Sequence, residues 1–265
     1  MKDAPSLPIA LTVAGSDSGG GAGIQADLKT FAALGVHGAS VITCLTAQNP
    51  AAVLGVEPVR PTMVRRQLEA IFAELPPQAI KTGMLYSAAI IREVARFLGE
   101  LRRRPPLIVD PVMVAGSGAR LLKPGAVRTL TEELLPLATL LTPNVPEAEA
   151  LTGLRIREPE DLRAAARLLH RRHRCAVLFK GGHLSDSREA VDLFYDGQTE
   201  LLLRAPWVKD VSTHGTGCTY AAAVAAWCAR GLPLAEAVWR AKQFVTAAIA
   251  RSRRIGRHWV LGFWR

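Results

Sequence analysis

The chain has 265 residues, of which 49% are hydrophobic, and its mean hydropathy is +0.16. A chain of this size and composition is long enough for one large core, so we expect residues 1–265 to form a single α/β domain. Lysine and arginine total 33 against 23 aspartate and glutamate residues, a formal charge of +10. The arginines recur at helical spacing without interleaved aromatic residues. The charge therefore favours solvated basic faces and small anionic substrates over a nucleic-acid surface.

The cysteines and the apolar segments exclude several classes of protein. The four cysteines are widely spaced and include no CxxC pair, which fits neither a zinc site nor a disulfide framework. Segment 1–8 lacks the apolar core of a signal peptide, and no apolar stretch is long and uninterrupted enough to span a membrane. We therefore expect a cytoplasmic protein that does not act at a membrane.

The first elements predict the opening of a βα unit. An apolar run, Ile9–Ala14, leads into the glycine-bearing segment 15–23, and residues 24–34 carry apolar side chains at helical spacing. No Lys-Ser or Lys-Thr follows the glycines, so this is not a Walker loop. The glycines either let a ligand approach the backbone or allow tight strand-to-helix packing. Asp27, one turn into the helix, is either a solvated charge balanced by the helix dipole or a ligand contact.

Strands and helices continue to alternate along the chain. The further predicted strands are 39–45, 53–59, 79–81, 107–110 and 175–179, the further helices are 61–75, 87–101, 125–135 and 234–250, and segments 190–195 and 200–203 form a hairpin. Such alternation predicts a mostly parallel sheet covered by helices on both faces. In sheets of this kind ligands bind at the carboxyl ends of the strands.

Polar residues follow several of these strands. Gln48 precedes Asn49-Pro50, so it is either a ligand contact or part of a turn. Asn144 and Glu147 have the spacing of a capping box at a helix start. Together with Asp110 they are also an oxygen-ligand set for hydrated magnesium, and spacing alone does not choose between the two.

Two further motifs are candidates for binding phosphate. Lys180 stands ahead of Gly181-Gly182, where it either reaches a phosphate or precedes a turn into the hairpin. In segment 210–218, Gly215 and Gly217 allow a sharp turn into an alanine-rich helix, whose free N–H groups and dipole favour an anion.

Cys218 falls in the first turn of that helix, where the dipole favours its thiolate as a base or nucleophile. The alternative is a buried cysteine that only packs.

These motifs, in this order, resemble the hydroxymethylpyrimidine/phosphomethylpyrimidine kinases of thiamine biosynthesis, a family within the ribokinase superfamily. The resemblance runs from about residue 10 to residue 250, and the matching segments are 14–17, 23–29, 46–49, 81–84, 142–147, 180–183 and 213–218. It implies a ribokinase-like three-layer α/β/α sandwich with a mostly parallel central sheet. The implied reaction uses ATP and magnesium to phosphorylate 4-amino-5-hydroxymethyl-2-methylpyrimidine, and then its monophosphate to the diphosphate. A homodimer is implied as well.

The resemblance also implies roles for individual residues. Cys218 stands where ribokinase-type sugar kinases carry an aspartate base, and it would accept the hydroxymethyl proton. The implied phosphoryl-stabilising residues are Gly215, Thr216 and Gly217, the nucleotide residues are Lys180 and Asn144, and the magnesium residues are Asp110 and Glu147. The implied substrate residues are Gln48, which reads the aminopyrimidine, Gly15, Met84, which packs on the ring, and Asp27, near the hydroxymethyl group.

One segment departs from the family, and other functions remain open. Segment 251–265 replaces a Gly-Pro-containing stretch that borders the nucleotide site in relatives. The nearest alternative is a pyridoxal kinase of the same cysteine-containing branch, although Gln48 and Met84 favour the aminopyrimidine. A sugar kinase is disfavoured because Cys218 replaces the expected aspartate. A ligand sensor or nucleic-acid-binding protein that kept this fold would explain the charge, but it would leave Cys218, Lys180 and Glu147 without a role.

Overall fold

A computed structural model describes residues 6–115, 118–123, 125–181, 189–208, 211 and 214–263. Its strands are β1 (Ile9–Ala14), β2 (His37–Ile42), β3 (Cys44–Gln48), β4 (Val53–Pro58), β5 (Ala79–Thr82), β6 (Leu107–Val109), β7 (Leu140–Leu141), β8 (Ala176–Phe179), β9 (Glu189–Tyr195), β10 (Glu200–Pro206), β11 (Arg253–Ile255) and β12 (His258–Val260). Its α-helices are α1 (Gly23–Ala33), α2 (Pro61–Glu74), α3 (Ala88–Glu100), α4 (Ala126–Thr129), α5 (Val145–Thr152), α6 (Pro159–His173), α7 (Thr216–Ala229) and α8 (Leu234–Ala250).

Within these residues, eight strands form one sheet in the order β10-β9-β8-β7-β6-β5-β1-β2. The strands from β8 to β2 in this order run parallel to one another. Strands β9 and β10 are the predicted hairpin and join the edge antiparallel. The mostly parallel sheet expected from the sequence is confirmed, and the carboxyl ends of its parallel strands share one edge.

Helices cover both faces of the sheet, which makes three layers. Along β1, Leu11 and Val13 belong to the core on one face, with α2 to α6, while Ala10 belongs to the core on the other, with α1, α7 and α8. Helix α7 is apolar on all sides and buried through most of its length. Because most of its side chains are alanine, it packs directly on the sheet between α1 and α8.

Two predicted elements are divided in the structure. The strand expected at 39–45 breaks at Thr43, whose hydroxyl donates to the Met84 carbonyl (2.6 Å), and the chain leaves the main sheet for the separate β3–β4 hairpin. The helix expected at 125–135 changes from α4 to a π-helical turn at Leu130–Leu134 and a 3₁₀ turn at Leu135–Leu137. Thr131 donates to the carbonyls of the preceding turn, and Pro136 has no N–H to continue the ladder.

The described part of the atypical C-terminal segment is a hairpin, β11–β12, which follows α8. The Gly262 N–H then donates to the Ala248 carbonyl (2.9 Å), so the chain returns to the end of α8. Trp264 and Arg265 lie outside the described residues. In the part of the chain that the structure describes, no helix has the length and apolar character needed to cross a membrane.

Candidate active site

A cavity of about 150 Å³ opens at the carboxyl ends of the parallel strands, between segment 15–23, β3 and the start of α7. Ten of the twelve predicted site residues line it together, and the exceptions are Asp27 and Thr216. The ten are Gly15, Gln48, Met84, Asp110, Asn144, Glu147, Lys180, Gly215, Gly217 and Cys218. Gly15 is required here, because a Cβ at this position would lie 2.6 Å from Cys44 Sγ. The structure thus brings these residues, distant along the chain, to one cavity.

The N-terminus of α7 forms the opposite wall of the cavity. Gly215 precedes the helix with φ of 80°, and a Cβ there would overlap the Gly21 carbonyl oxygen. The first helical hydrogen bond runs from the Thr219 N–H to the Gly215 carbonyl (2.9 Å). The N–H groups of residues 216–218 therefore have no partner within the helix, which is the arrangement that an anion site needs. Asp210, Ser212 and Thr213, in the same predicted motif, lie outside the described residues.

Asp17 fixes the first glycine loop, a role that the sequence analysis missed. Its carboxylate accepts N–H bonds from Gly19 (2.8 Å), Gly21 (3.1 Å) and Ala22 (2.8 Å). His214 Nε2 lies 3.4 Å from Asp17 Oδ2, which ties this loop to the start of α7. Burial opposes the charge, but the bonds from His214 and the loop outweigh it and hold the Asp17 pKa below its ordinary value. An aspartate two residues ahead of a glycine is a turn signal that could have revealed it.

Cys218 lies in the first turn of α7 and is partly exposed to the cavity. Burial raises the pKa of its thiol to about 11, although the cation of Lys81 acts in the opposite direction. The expectation that the helix dipole leaves a favoured thiolate is therefore wrong in its net direction, because removing the charge from water outweighs the stabilising groups. With the Lys81 cation already acting on it, the thiol is protonated at neutral pH.

Asp27 and Lys81 form a buried ion pair beneath the start of α7. Lys81 Nζ lies 2.8 Å from Asp27 Oδ2, and both side chains are 0% exposed. The Thr12 hydroxyl donates to the same carboxylate oxygen (2.6 Å). The solvated charge considered for Asp27 is therefore wrong. Among the described residues that line the cavity, Lys81 is present and Asp27 is not, so the carboxylate contacts the lysine instead of occupying the wall.

Lys180 extends from the end of β8 towards the same cavity. Its Nζ lies 2.7 Å from Asp110 Oδ1, which also accepts a bond from the Thr142 hydroxyl (3.3 Å). A Cβ on Gly217 would lie 3.2 Å from Lys180 Nζ, so the ammonium group stands next to the N–H groups of α7. An anion between them would meet a cation on one side and backbone donors on the other. Gly182 and His183, which follow in the predicted motif, lie outside the described residues.

Asn144 and Glu147 form the predicted capping box of α5. Asn144 Oδ1 accepts from the Glu147 N–H, and Glu147 Oε2 accepts from the Asn144 N–H, both at 2.9 Å. Burial raises the pKa of Glu147 to about 7, with Asp110 adding to the rise and Lys180 opposing it. The Glu147 carboxylate also accepts a bond from the Met113 N–H, so two backbone donors hold it in place.

Within the described residues no cluster of three or more His, Cys, Asp or Glu side chains could hold a metal. Three carboxylates line the cavity, and Asp17 is bonded to its own loop. The other two, Asp110 and Glu147, fit an ion such as magnesium that keeps much of its water.

A second cavity, of about 360 Å³, adjoins the first between β9, β10, α7 and α8. The two cavities share Asn144, Lys180 and Gly217. Thr216 Oγ1 lies at this second cavity, buried and without a hydrogen-bond partner among the described residues, which leaves a donor for a ligand. The second cavity was not predicted, because its walls come from the edge strands and α8, where the sequence pattern shows only alternating or helical packing.

Comparison with known proteins identifies the family. The model of the phosphomethylpyrimidine kinase family matches residues 17–261 of this chain. The chain belongs to the phosphomethylpyrimidine kinase family. The hydroxymethylpyrimidine/phosphomethylpyrimidine kinase of Synechococcus elongatus is 49% identical over 251 residues, which cover 95% of each chain. Family membership makes the chain a kinase, as its sequence predicted.

Two other relatives qualify this likeness. The thiamine biosynthesis bifunctional protein ThiED of Geobacter sulfurreducens is 53% identical over 247 residues, which are 93% of this chain but 50% of that protein. The present chain therefore spans about half the length of this bifunctional relative. Bacillus subtilis pyridoxal kinase, solved as an ADP complex, superposes with a TM-score of 0.89 at 38% identity over 97% of both chains. The ribokinase-like fold is confirmed.

Proposed function

We propose that this chain transfers the γ-phosphate of ATP to 4-amino-5-hydroxymethyl-2-methylpyrimidine, and then phosphorylates the monophosphate to the diphosphate. The observation that carries the proposal is the meeting of two cavities at Lys180, Asn144 and the start of α7. Phosphoryl transfer depends mainly on positioning and charge stabilisation, so donor and acceptor must meet beside cations and backbone donors. The first cavity holds the acceptor and the second holds the nucleotide.

In the acceptor cavity, the Gln48 amide both donates and accepts, which suits a ring nitrogen next to an exocyclic amine. Met84 supplies an apolar wall, and Gly15, which has no side chain, lets the substrate come close to the backbone. Cys218 accepts the hydroxymethyl proton as the oxygen attacks phosphorus, so its thiol must first lose a proton. Asp27 does not contact the substrate in this proposal, because Lys81 and Thr12 occupy its carboxylate.

At the junction, the N–H groups of Thr216, Gly217 and Cys218 receive the transferring phosphoryl group and Gly215 sets their direction. Lys180 neutralises phosphate charge from the side. Asp110, Glu147 and Asn144 would hold a magnesium ion through water and phosphate oxygens. When bound, that ion supplies further charge neutralisation.

We further infer that the enzyme is a cytoplasmic homodimer. The isolated β3–β4 hairpin exposes Leu45 by 51% and Leu54 by 76%, and Val114 nearby is 52% exposed. A two-stranded hairpin of this kind is marginally stable alone, and a second copy would cover its apolar side chains. Light scattering after size exclusion should therefore give twice the chain mass, and a monomer would contradict the inference.

The decisive experiment offers the pyrimidine, its monophosphate and pyridoxal in parallel, with ATP and magnesium, and identifies products by mass spectrometry. Diphosphate formed from the first two compounds, with pyridoxal slow or inert, is the expected result. Pyridoxal phosphate as the dominant product would move the assignment to the alternative, which the likeness to pyridoxal kinase supports. Absence of product from every compound would favour a binding protein.

A further inference from the structure

The Asp27–Lys81 pair has no assigned task in the reaction, yet its burial is costly. Both side chains are 0% exposed. Removing two charges from water costs several kcal/mol per ion, and apolar side chains of similar volume often stabilise a core as well or better. The other residues of β5 are buried as well, so an apolar residue at position 81 would fit the strand pattern. Fold stability alone therefore does not account for the pair.

The sheet register joins this pair to β1, and the cavity brings Lys81 together with Cys218. Thr12 of β1 and Lys81 of β5 are direct neighbours, and both reach Asp27 of α1. Lys81 Nζ donates to both carboxylate oxygens of Asp27, to Oδ2 at 2.8 Å and to Oδ1 at 3.1 Å. A Cβ on Gly83 would lie 2.8 Å from Lys81 Nζ, so glycine leaves the space that the ammonium group fills. Lys81 and Cys218 line the same cavity.

Four charged side chains act on the Cys218 thiol from the surrounding elements. The cations are Lys81 from β5 and Lys180 after β8, and the anions are Asp27 from α1 and Asp110 after β6. The Gly23 N–H, at the start of α1, also donates to the sulfur. Lys81 has the largest effect of the charges that oppose the burial of a thiolate.

We propose that Lys81, held in place by Asp27 and Thr12, is a positioning residue that favours the thiolate of Cys218 for proton acceptance. The inference rests on the proposed function, in which Cys218 is the base. Asp27 contributes by fixing the ammonium group and keeping it protonated, since the carboxylate holds the Lys81 pKa above its ordinary range despite burial. The charge of Asp27 itself raises the thiol pKa, so the aspartate favours the thiolate only through the lysine.

The test measures iodoacetamide alkylation of the full chain without substrates, from pH 7 to pH 10, with Cys218 followed by peptide mass spectrometry. The first pair of proteins is the wild type and Lys81→Met. The second pair is Asp27→Asn and the double variant Asp27→Asn/Lys81→Met. Each pair differs only in the cation, and the second pair has no unpaired buried carboxylate. Because one pKa unit changes the thiolate fraction tenfold, loss of Lys81 should slow alkylation by roughly tenfold or more relative to wild type. In the Asp27→Asn pair the slowing should be smaller but measurable, because the carboxylate that keeps the ammonium group protonated is gone.

Cys228, at the far end of α7, is the internal control, and its alkylation should not change. Equal Cys218 rates within both pairs would overturn the inference, and a folding failure of Lys81→Met leaves the second pair to decide. The failure of the proposed function is seen separately. If Cys218→Ala turns over the pyrimidine normally, the assignment of Cys218 as the base fails. If Cys218→Ala is inactive but Cys218 is alkylated equally fast with and without Lys81, only the role of Lys81 is rejected.

Discussion

Two buried aspartate–lysine pairs lie on either side of α7, and they differ in what they touch. Asp27 and Lys81 are 2.8 Å apart, and Lys81 lines the first cavity, which we propose for the acceptor. Asp192 and Lys242 are 2.7 Å apart and line the second cavity, which we propose for the nucleotide. Each pair joins a helix to a strand of the sheet, and each is almost fully withdrawn from water. Their chemistry is the same, so any difference in function comes from their third partners.

The further partners of the Asp192–Lys242 pair are two backbone groups and the Tyr220 hydroxyl, whose pKa is raised by burial and by the charge of Asp192. Asp192 accepts from the Gly181 N–H (3.1 Å), and Lys242 also donates to the Ala190 carbonyl (3.2 Å). Gly181 follows Lys180 directly, so this pair anchors the chain next to the lysine for which we propose a phosphate role. The acceptor-side pair instead faces the Cys218 thiol across the cavity. The comparison indicates that one pair holds a loop in position, whereas the other sets a local charge.

The largest effect is expected for Cys218→Ala. Loss of a general base lowers turnover by roughly 100-fold to 10,000-fold, so kcat should fall by this amount while the KM for ATP changes little. Because burial raises the thiol pKa to about 11, the thiolate fraction grows with pH, and wild-type turnover should rise across the neutral and alkaline range. Steady-state kinetics from pH 6 to pH 10 measure both.

Cys228→Ala is the matched control for this variant, because it removes a thiol from the same helix. It should keep wild-type kinetics. A Cys218→Ala variant with normal turnover, or with the same rise with pH as wild type, would contradict the base assignment.

The next effect separates the two pairs. Lys242→Met leaves Asp192 buried without its cation, which should lower the free energy of unfolding by about 3–5 kcal/mol in urea denaturation. The double variant Asp192→Asn/Lys242→Met should recover much of this loss, because no unpaired charge remains. Cys218 alkylation should stay within about twofold of wild type in the double variant, since only the acceptor-side pair acts on the thiol. Slower alkylation of Cys218 in this double variant would mean that both ion pairs act on the thiol.

The sequence predicts the layers of the fold because periodicity and turn residues carry that information locally. Apolar runs such as Leu107–Val109 are bounded by turn residues and read directly as buried strands. The break at Thr43 was not predictable, because it depends on a hydrogen bond to Met84, which is distant along the chain. Contacts of this kind exist only after the strands have been assembled.

The candidate site divides in the same way. Gln48 and Cys218 could be named as candidates because each stands at a strand end or helix start that the local pattern marks, whereas Gly15 was a candidate only through the family resemblance. The tasks of Asp27 and Lys81 could not, because only the β1–β5 register brings them together. The net direction of the Cys218 pKa was also missed, since the sequence shows the helix start but not the burial of the sulfur.

The smallest effect is expected for Lys180→Ala, which tests the junction between the two cavities. A charge-assisted bond contributes about 1.5–3 kcal/mol, so kcat/KM for ATP should fall by roughly 10-fold to 100-fold. Arg163→Ala is the control, because it removes a cation from the outer helix α6 and should leave these kinetics unchanged. Unchanged ATP kinetics in Lys180→Ala would remove its phosphate role and leave Lys180 as the structural partner of Asp110. The Asp192–Lys242 pair would then anchor a loop that does not serve the nucleotide.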